Sequence, residues 1–292
     1  MADEWTIGRL LQWTADYLKQ HNSESPRLEA EVLLAHARGC QRIELYTAFS
    51  DLADEPLRTK FRALVKRRGE GTPVAYLVGH REFYSLDFRV TPDVLVPRPE
   101  TEFLVIALLD LIKLRGPSAM PLEVVDVGTG SGVIAICTAK HAPAVHVTAI
   151  DVSPAALAVA GDNAQRLGVA DRIEFIESDL FAKVASGRMF DFVASNPPYI
   201  TTAEYEALPK GVRDFEPRLA LEAGASGTSV IERLIPQAAE RLRPGGALLL
   251  EISPMLQQRV EALVAADERL VFEKTHRDLA GLARVVQASR KA

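Results

Sequence analysis

Leu122-Glu123-Val124-Val125-Asp126-Val127-Gly128-Thr129-Gly130-Ser131-Gly132-Val133 is the stretch that decides the fold of this chain. A run of strand length ends in a loop with glycine at every second position, and apolar residues resume at once over 133–139 with helical spacing. Glycine lets such a loop turn tightly and lets a ligand approach the backbone. Downstream, the pattern keeps alternating. Strands are predicted at 145–150, 173–176, 190–194 and 247–252. Helices are predicted at 154–167, closed by Gly168, at 230–242, where Pro236 marks a kink, and at 255–266. A last strand pair, 270–274 with 283–287, follows the final helix. Strands alternating with helices predict an α/β fold, a doubly wound parallel sheet that binds ligands at the carboxyl ends of its strands. The last pair predicts one antiparallel strand in that sheet.

Upstream, residues 5–75 read as helices. Ile7, Leu10, Leu11, Thr14 and Leu18 recur at three-to-four spacing, as do Leu28, Val32 and Leu33, then Leu57, Phe61, Leu64 and Val65. Ser25-Pro26 predicts a helix entry and Gly39 an exit. Residues 82–90 alternate loosely, Thr91-Pro92-Asp93 predicts a turn, and Val94-Leu95-Val96 completes an expected hairpin. Helical period returns over 101–114, with Gly116-Pro117-Ser118 as the stop.

At 292 residues the chain has room for about two domains. A net charge of −5 argues against a surface built to neutralise many phosphates. The acidic start Met1-Ala2-Asp3-Glu4-Trp5 lacks the basic and apolar regions of a signal peptide, and no apolar stretch approaches the roughly 18 residues of a membrane span. Cys40 and Cys137 are far apart and read as buried thiols in a reducing cytoplasm. The six histidines are scattered without paired spacing, so no metal site is expected.

The chemistry gathers at strand ends. The apolar run 190–194 leads to Asn196-Pro197-Pro198-Tyr199. Proline fixes φ, removes an N–H and holds the preceding residue extended, so this loop is rigid and rich in free carbonyls. The Asn196 carbonyl beside the Pro197 carbonyl offers two acceptors, which suits a planar NH₂ group, and the Tyr199 ring can lie against the group that carries it. In the glycine loop the second and third glycines are two apart, whereas a dinucleotide fingerprint needs them three apart. That spacing argues against a nicotinamide-dependent oxidoreductase. The second strand of this region ends at Asp151, where a carboxylate can accept from both hydroxyls of a ribose. Asp151 can also cap the following helix, but Ser153 could serve as that cap alone.

The glycine loop Gly128, Thr129, Gly130, Ser131, Gly132 resembles that of class I S-adenosylmethionine (SAM) methyltransferases, and Asn196-Pro197-Pro198-Tyr199 resembles the motif of enzymes that alkylate amide or exocyclic amine nitrogens. The likeness extends further. Glu70-Gly71-Thr72-Pro73-Val74-Ala75-Tyr76-Leu77, Arg81-Glu82-Phe83-Tyr84, Val96-Pro97-Arg98-Pro99-Glu100-Thr101-Glu102, Arg213-Asp214-Phe215-Glu216-Pro217 and Asp278-Leu279-Ala280-Gly281 are similar to segments of the peptide chain release factor N5-glutamine methyltransferases (HemK/PrmC type). Glu251-Ile252-Ser253-Pro254 departs from the Glu-His/Ile-Gly of many relatives.

The resemblance implies a Rossmann-like methyltransferase domain at 99–292, a helical substrate-recognition domain at 1–78 and a linker hairpin at 79–98. It implies SAM as cofactor and S-adenosylhomocysteine as product, held by Gly128, Thr129, Gly130, Ser131, Gly132, Asp151, Asp179, Leu180 and Asn196. Asn196, Pro197 and Tyr199 would be catalytic, and with Pro198 would bind the glutamine of a Gly-Gly-Gln loop. Release factors would be the partner of a cytoplasmic monomer, with neither DNA nor membrane involved. Arg98, Glu100 and Glu102 either shape a pocket or form surface ion pairs. The alternative is a DNA N6-adenine or N4-cytosine methyltransferase, which must flip its base and grip phosphates. The balanced charge of the helical segment counts against it.

Overall fold

The computed structural model describes residues 4–116 and 120–292. The acidic start at 1–3 and the helix stop at Pro117-Ser118 lie outside the described residues. The chain divides into two compact units, one reaching to His80 together with Pro209–Phe215, the other formed by Arg81–Leu208 and Glu216–Ala292.

In the first unit, α1 (Ile7–Gln20) starts at Thr6, whose hydroxyl accepts from the Arg9 N–H at 3.2 Å. Helix α2 (Pro26–Arg38) carries proline in its first turn and ends at Gly39, which takes φ 71°. A short α3 (Glu44–Thr47) precedes α4 (Glu55–Gly69), and α5 (Val74–Val78) follows it. Helices this short carry too few residues to show a period, so the three-to-four spacing did not predict α3 or α5. Leu10, Leu11, Leu33, Leu34, Leu45, Phe61, Val65 and Leu77 close one core. Arg68 on α4 grips Glu29 on α2 with two bonds of 2.8 and 2.9 Å.

Strands β1 (His80–Phe83) and β2 (Leu86–Arg89) form the hairpin. The expected turn at Thr91-Pro92-Asp93 is not the hairpin turn. The chain reverses at Tyr84-Ser85, both at positive φ (49° and 59°), as a tight two-residue connection demands. Neither residue is the glycine, asparagine or aspartate that usually marks such a turn. Thr91–Val94 is a separate turn, closed by Val94 N–H to Thr91 carbonyl at 3.1 Å, and residues 94–96 are not a strand.

The rest of the second unit runs α6 (Thr101–Arg115), β3 (Leu122–Val127), α7 (Val133–His141), β4 (Val145–Asp151), α8 (Pro154–Arg166), β5 (Ile173–Glu177) and β6 (Phe190–Ser195). Short α9 (Thr202–Ala207) follows, and α10 (Lys210–Arg213) lies in the segment that belongs to the first unit. Then come α11 (Ser229–Arg241), with Pro236 inside it, β7 (Leu242–Glu251), α12 (Gln257–Ala266), β8 (Leu270–Arg277) and β9 (Ala283–Arg290). Among the described residues the large sheet has seven strands in the order β5-β4-β3-β6-β7-β9-β8. Strand β9 runs antiparallel to both its neighbours, and the other pairings are parallel. This is the α/β sheet with one reversed strand that the sequence pattern predicts.

Successive strand residues face opposite sides, so Val124, Phe192 and Leu249 join a core with Leu104, Leu108 and Ile136. Val125, Val193, Leu248 and Leu250 join another with Ile231, Leu234 and Val260. The register then fixes the site. Val127 lies opposite Ile150 and Ser195, and Ser195 lies opposite Leu250. The glycine loop, Asp151, Asn196 and Glu251 therefore leave four adjacent strands at one level, where strand order switches direction at β3.

Candidate active site

The glycine loop is built from beneath. Asp126 is fully buried at the end of β3. Its Oδ2 accepts from the Thr129 hydroxyl at 2.7 Å and from the Ala135 N–H at 3.1 Å. Burial raises its pKa to about 7 against the pull of those two bonds. Thr129 and Ser131 are buried too, and the Ser131 carbonyl accepts from Asn163 Nδ2 at 2.9 Å. Asn163 also exchanges bonds with Arg89 (2.8 and 3.0 Å), clamping loop and hairpin together. The N–H groups of Gly128 and Thr129 go to the Ile150 carbonyl, that of Gly132 to the Thr129 carbonyl and that of Gly130 to Asp151 Oδ2 at 2.8 Å. Four of the five loop amides are thus spent internally, so the loop cannot cradle a pyrophosphate as a dinucleotide loop does. Gly128 and Gly130 have positive φ, and a Cβ at either would meet open space. Gly132 differs, because a Cβ there would stand 2.8 Å from Ile136 Cδ1. Two glycines leave a ligand free access and the third permits close helix packing.

Asp151 Oδ1 accepts from the Ser153 N–H at 2.9 Å, while Ser153 Oγ caps α8 by accepting from the Ala156 N–H at 3.2 Å. Ser153 is the cap, and Asp151 is pinned with a fixed carboxylate at the tip of β4. Asp179 pairs with Arg233 at 2.5 Å, both half exposed. Leu180 takes φ 50° and is nearly buried, and Phe181 packs against Phe190 at 6.1 Å between centroids.

At β6, the Ser195 hydroxyl donates to the Val127 carbonyl at 2.6 Å and ties the two strand ends. Asn196 Nδ2 donates to Thr101 Oγ1 at 3.2 Å, on the first turn of α6. Glu251 is buried at the end of β7, and its Oε2 has no hydrogen-bond partner among the described residues. Burial raises Glu251 to about 7, and the charge of Glu100 adds to this. The neighbouring Thr101 hydroxyl and the charges of Arg284 and Arg98 pull the other way. Burial pushes the Tyr199 hydroxyl up to about 12, with the charge of Glu251 next in effect.

The acidic and basic residues flanking Thr101 each have a partner. Arg98 bonds Glu216 at 2.6 Å, and Glu216 accepts from the Val96 N–H at 3.1 Å. Glu100 is 3.7 Å from Arg284, and Glu102 accepts from the Tyr84 N–H at 3.0 Å, bracing the hairpin turn. The Glu216 side chain is 1% exposed and Arg98 33%. Arg98→Ala is expected to lower stability by about 1.5–3 kcal/mol, the range for a hydrogen bond to a charged group. Urea denaturation measures it.

Sequence reading missed Thr101, Asn163, Ser195 and Glu251, whose partners lie on other strands and helices. Only the position of Glu251 at the end of an apolar run hinted at a role.

A sheet of this topology, with a glycine loop and an Asn-Pro-Pro-Tyr tip at adjacent strand ends, is that of a Rossmann-like methyltransferase. The hMettl16 catalytic domain, in complex with a 3′UTR hairpin, shares the fold (TM-score 0.54, 18% identity, covering 78% of this chain and 82% of that one). So does a T. thermophilus 16S rRNA methyltransferase in complex with AdoMet and guanosine (TM-score 0.51, 19% identity, 73% and 50%). The family described as methyltransferase small domain matches residues 107–210, and the PrmC N-terminal domain family matches residues 9–79. A release factor glutamine methyltransferase of Rhodopirellula baltica is 50% identical over 98% of this chain and 97% of that protein. The chain belongs to the release factor glutamine methyltransferase family.

Proposed function

We propose that this protein transfers the methyl group of SAM to the side-chain amide nitrogen (N5) of the glutamine in the Gly-Gly-Gln loop of peptide chain release factors, modulating translation termination. The observation that carries the reading is the Asn196 side chain, whose Nδ2 donates to Thr101 Oγ1 at 3.2 Å and so leaves Oδ1 as an acceptor, with the Pro197 carbonyl next along the chain.

The residues at the strand ends fit the cofactor. Open space before Gly128 and Gly130, the pinned Asp151 carboxylate and the spent loop amides suit a nucleoside with a thioether tail and no phosphate. Gly128, Thr129, Gly130, Ser131 and Gly132 would form its floor through their backbone, and Asp151 would accept from the ribose hydroxyls. Asp179 and Leu180 would border the adenine. When bound, SAM supplies an electrophilic methyl group.

A glutamine amide nitrogen is a poor nucleophile because its lone pair is delocalised into the carbonyl. Asn196 Oδ1 and the Pro197 carbonyl would accept its two hydrogens and turn the lone pair toward the methyl. Tyr199, with Pro198, would pack on the amide plane. Burial keeps the Tyr199 hydroxyl protonated, its pKa standing near 12, so Tyr199 acts as a surface and not as a base. The rate gain comes from alignment and from fixed carbonyl dipoles that accept the growing acidity of the N–H groups. No strong base is needed, because the newly alkylated amide is acidic until it loses its proton. Release factors work in the cytoplasm, where we place the enzyme. One chain carries every residue in this reading, so a monomer suffices for it.

Mass spectrometry of purified release factors after incubation with the protein and labelled SAM tests the proposal. The expected product carries one methyl group on the glutamine of the Gly-Gly-Gln loop. Labelled DNA with unlabelled release factor would assign the acceptors to a base amine instead. Asp151→Ala is expected to weaken SAM by about 1.5–3 kcal/mol, the range for hydrogen bonds to a charged group, without changing the methylated atom. Unchanged affinity by calorimetry would reduce Asp151 to a brace for Gly130 and Ser153.

A further inference from the structure

The loop between β8 and β9 holds a leucine out in solvent. Leu279 is 100% exposed, yet the loop that carries it is pinned. The N–H groups of Ala280 and Leu282 both donate to Asp278 Oδ1 at 2.9 Å, and that of Gly281 goes to the Asp278 carbonyl at 2.9 Å. Arg277 Nη1 donates to the Gly281 carbonyl at 2.8 Å, and Arg284 Nε donates to Asp278 Oδ2 at 2.7 Å. Folding gains nothing from a leucine left in water, and one such residue alone would be ordinary. A second stands on the neighbouring segment. Met255 is 88% exposed and follows β7, in a stretch fastened at both ends to β8 and β9. Ile252 N–H donates to the Arg284 carbonyl at 2.9 Å, and Arg277 Nη2 donates to Gln257 Oε1 at 3.4 Å.

Both residues lie at the edge where the candidate site is built. Strand β9 runs antiparallel to β7 with Val285 opposite Glu251, so the β8–β9 loop emerges beside the carboxyl end of β7. Strand β9 is two strands from β6, roughly 10 Å at the usual spacing. Side chains bridge part of that way. Arg284 is 3.7 Å from Glu100, and the next residue, Thr101, accepts from Asn196 Nδ2 at 3.2 Å. A glutamine side chain reaches only about 5 Å beyond its own Cα. A glutamine amide seated against Asn196 therefore brings its backbone down to this edge. About three residues of extended chain cover the distance between β6 and β9, so the segment flanking the glutamine meets Leu279 and Met255.

We propose that Leu279 and Met255 form an apolar docking rim for the release factor, gripping its polypeptide a few residues away from the substrate glutamine. This rests on the function proposed above and names a surface that selects the substrate for it. The Asp278–Arg284 pair holds Leu279 in place before binding, so little freedom is lost when the partner arrives. The unbranched Met255 side chain adapts to the partner's shape.

Leu279→Gln combined with Met255→Gln keeps the bulk and removes the apolar surface at two exposed positions. KM for intact release factor should rise on the order of 10-fold, the scale of one lost apolar side chain at an interface. The kcat at saturation, SAM affinity and melting temperature should stay close to wild type, and Leu279→Met with Met255→Leu should keep the wild-type KM. A Gly-Gly-Gln tripeptide, too short to reach the rim, should be methylated equally by wild type and the glutamine pair. Unchanged KM, beside a wild type that methylates release factor, would overturn the rim and leave the function standing. A wild type that leaves release factor unmethylated would remove the function, and the rim's partner with it. A loss of equal size on the tripeptide would overturn docking, as would a wild-type dimer that the glutamine pair converts to a monomer, which would assign the rim to a second copy of the chain.

Discussion

Asn196→Ala should lower single-turnover methylation by about 10²–10³ while leaving SAM affinity within a few-fold. The substitution deletes one of two fixed acceptors for the glutamine amide, and a lost pre-organised hydrogen bond of this kind is worth on that order in rate. The backbone on either side is held independently of the side chain. Ser195 Oγ ties β6 to the Val127 carbonyl at 2.6 Å, and Ile200 N–H bonds the Leu221 carbonyl at 2.9 Å. The Pro197 carbonyl therefore stays in place and the defect is confined to one acceptor. Single-turnover assays with saturating SAM measure it, since they isolate the methyl-transfer step from product release. Near-normal turnover would remove Asn196 from the mechanism, and a large loss of SAM affinity would recast it as a cofactor residue.

What the sequence made legible follows from the range of the interactions involved. The glycine loop, Asp151 and Asn196-Pro197-Pro198-Tyr199 each sit at the end of a short apolar run, and parallel β/α alternation brings such ends to one edge. Local pattern was enough to place them. The hairpin turn was misplaced because Tyr84 and Ser85 adopt positive φ without glycine, and Glu102 supports that conformation from a helix by accepting from the Tyr84 N–H. The supporting residues around the site are invisible for the same reason. Thr101 meets Asn196 across 95 positions of sequence, and Asn163 meets Arg89 across 74. Arg98 pairs with Glu216 across 118 positions, so the choice between pocket and ion pair could not be made from spacing. No period or motif encodes such pairs, because only the fold brings together elements so far apart in sequence.

Ile43→Asp with Leu52→Asp should lower kcat/KM for intact release factor on the order of 10²-fold and leave methylation of a short Gly-Gly-Gln peptide unchanged. The helical unit holds no chemistry of its own, and every residue assigned to cofactor or amide lies beyond position 125. A glutamine on a folded partner gains little binding from its amide alone, so remote contacts must hold it during the reaction. The exposed apolar residues of the helical unit crowd into the segment 43–52, where Ile43 is 67% and Leu52 63% exposed. Two neighbours in that segment are committed to the fold. The Tyr46 hydroxyl donates to Glu31 at 2.5 Å, and Phe49 packs on Gly8, where a Cβ would meet its ring at 2.2 Å. The side chains of Ile43 and Leu52 are the more exposed and carry no such contact. Paired surface substitutions are a sharper probe than deletion. Pro209–Phe215 belongs to the helical unit, with Gly211 so close that a Cβ would stand 2.9 Å from the Gly71 carbonyl. A truncated enzyme would leave that segment without its support, and both its ends run into the catalytic unit. Loss confined to the whole protein substrate assigns docking to the helices, whereas equal rates on both substrates would make the helical unit purely structural.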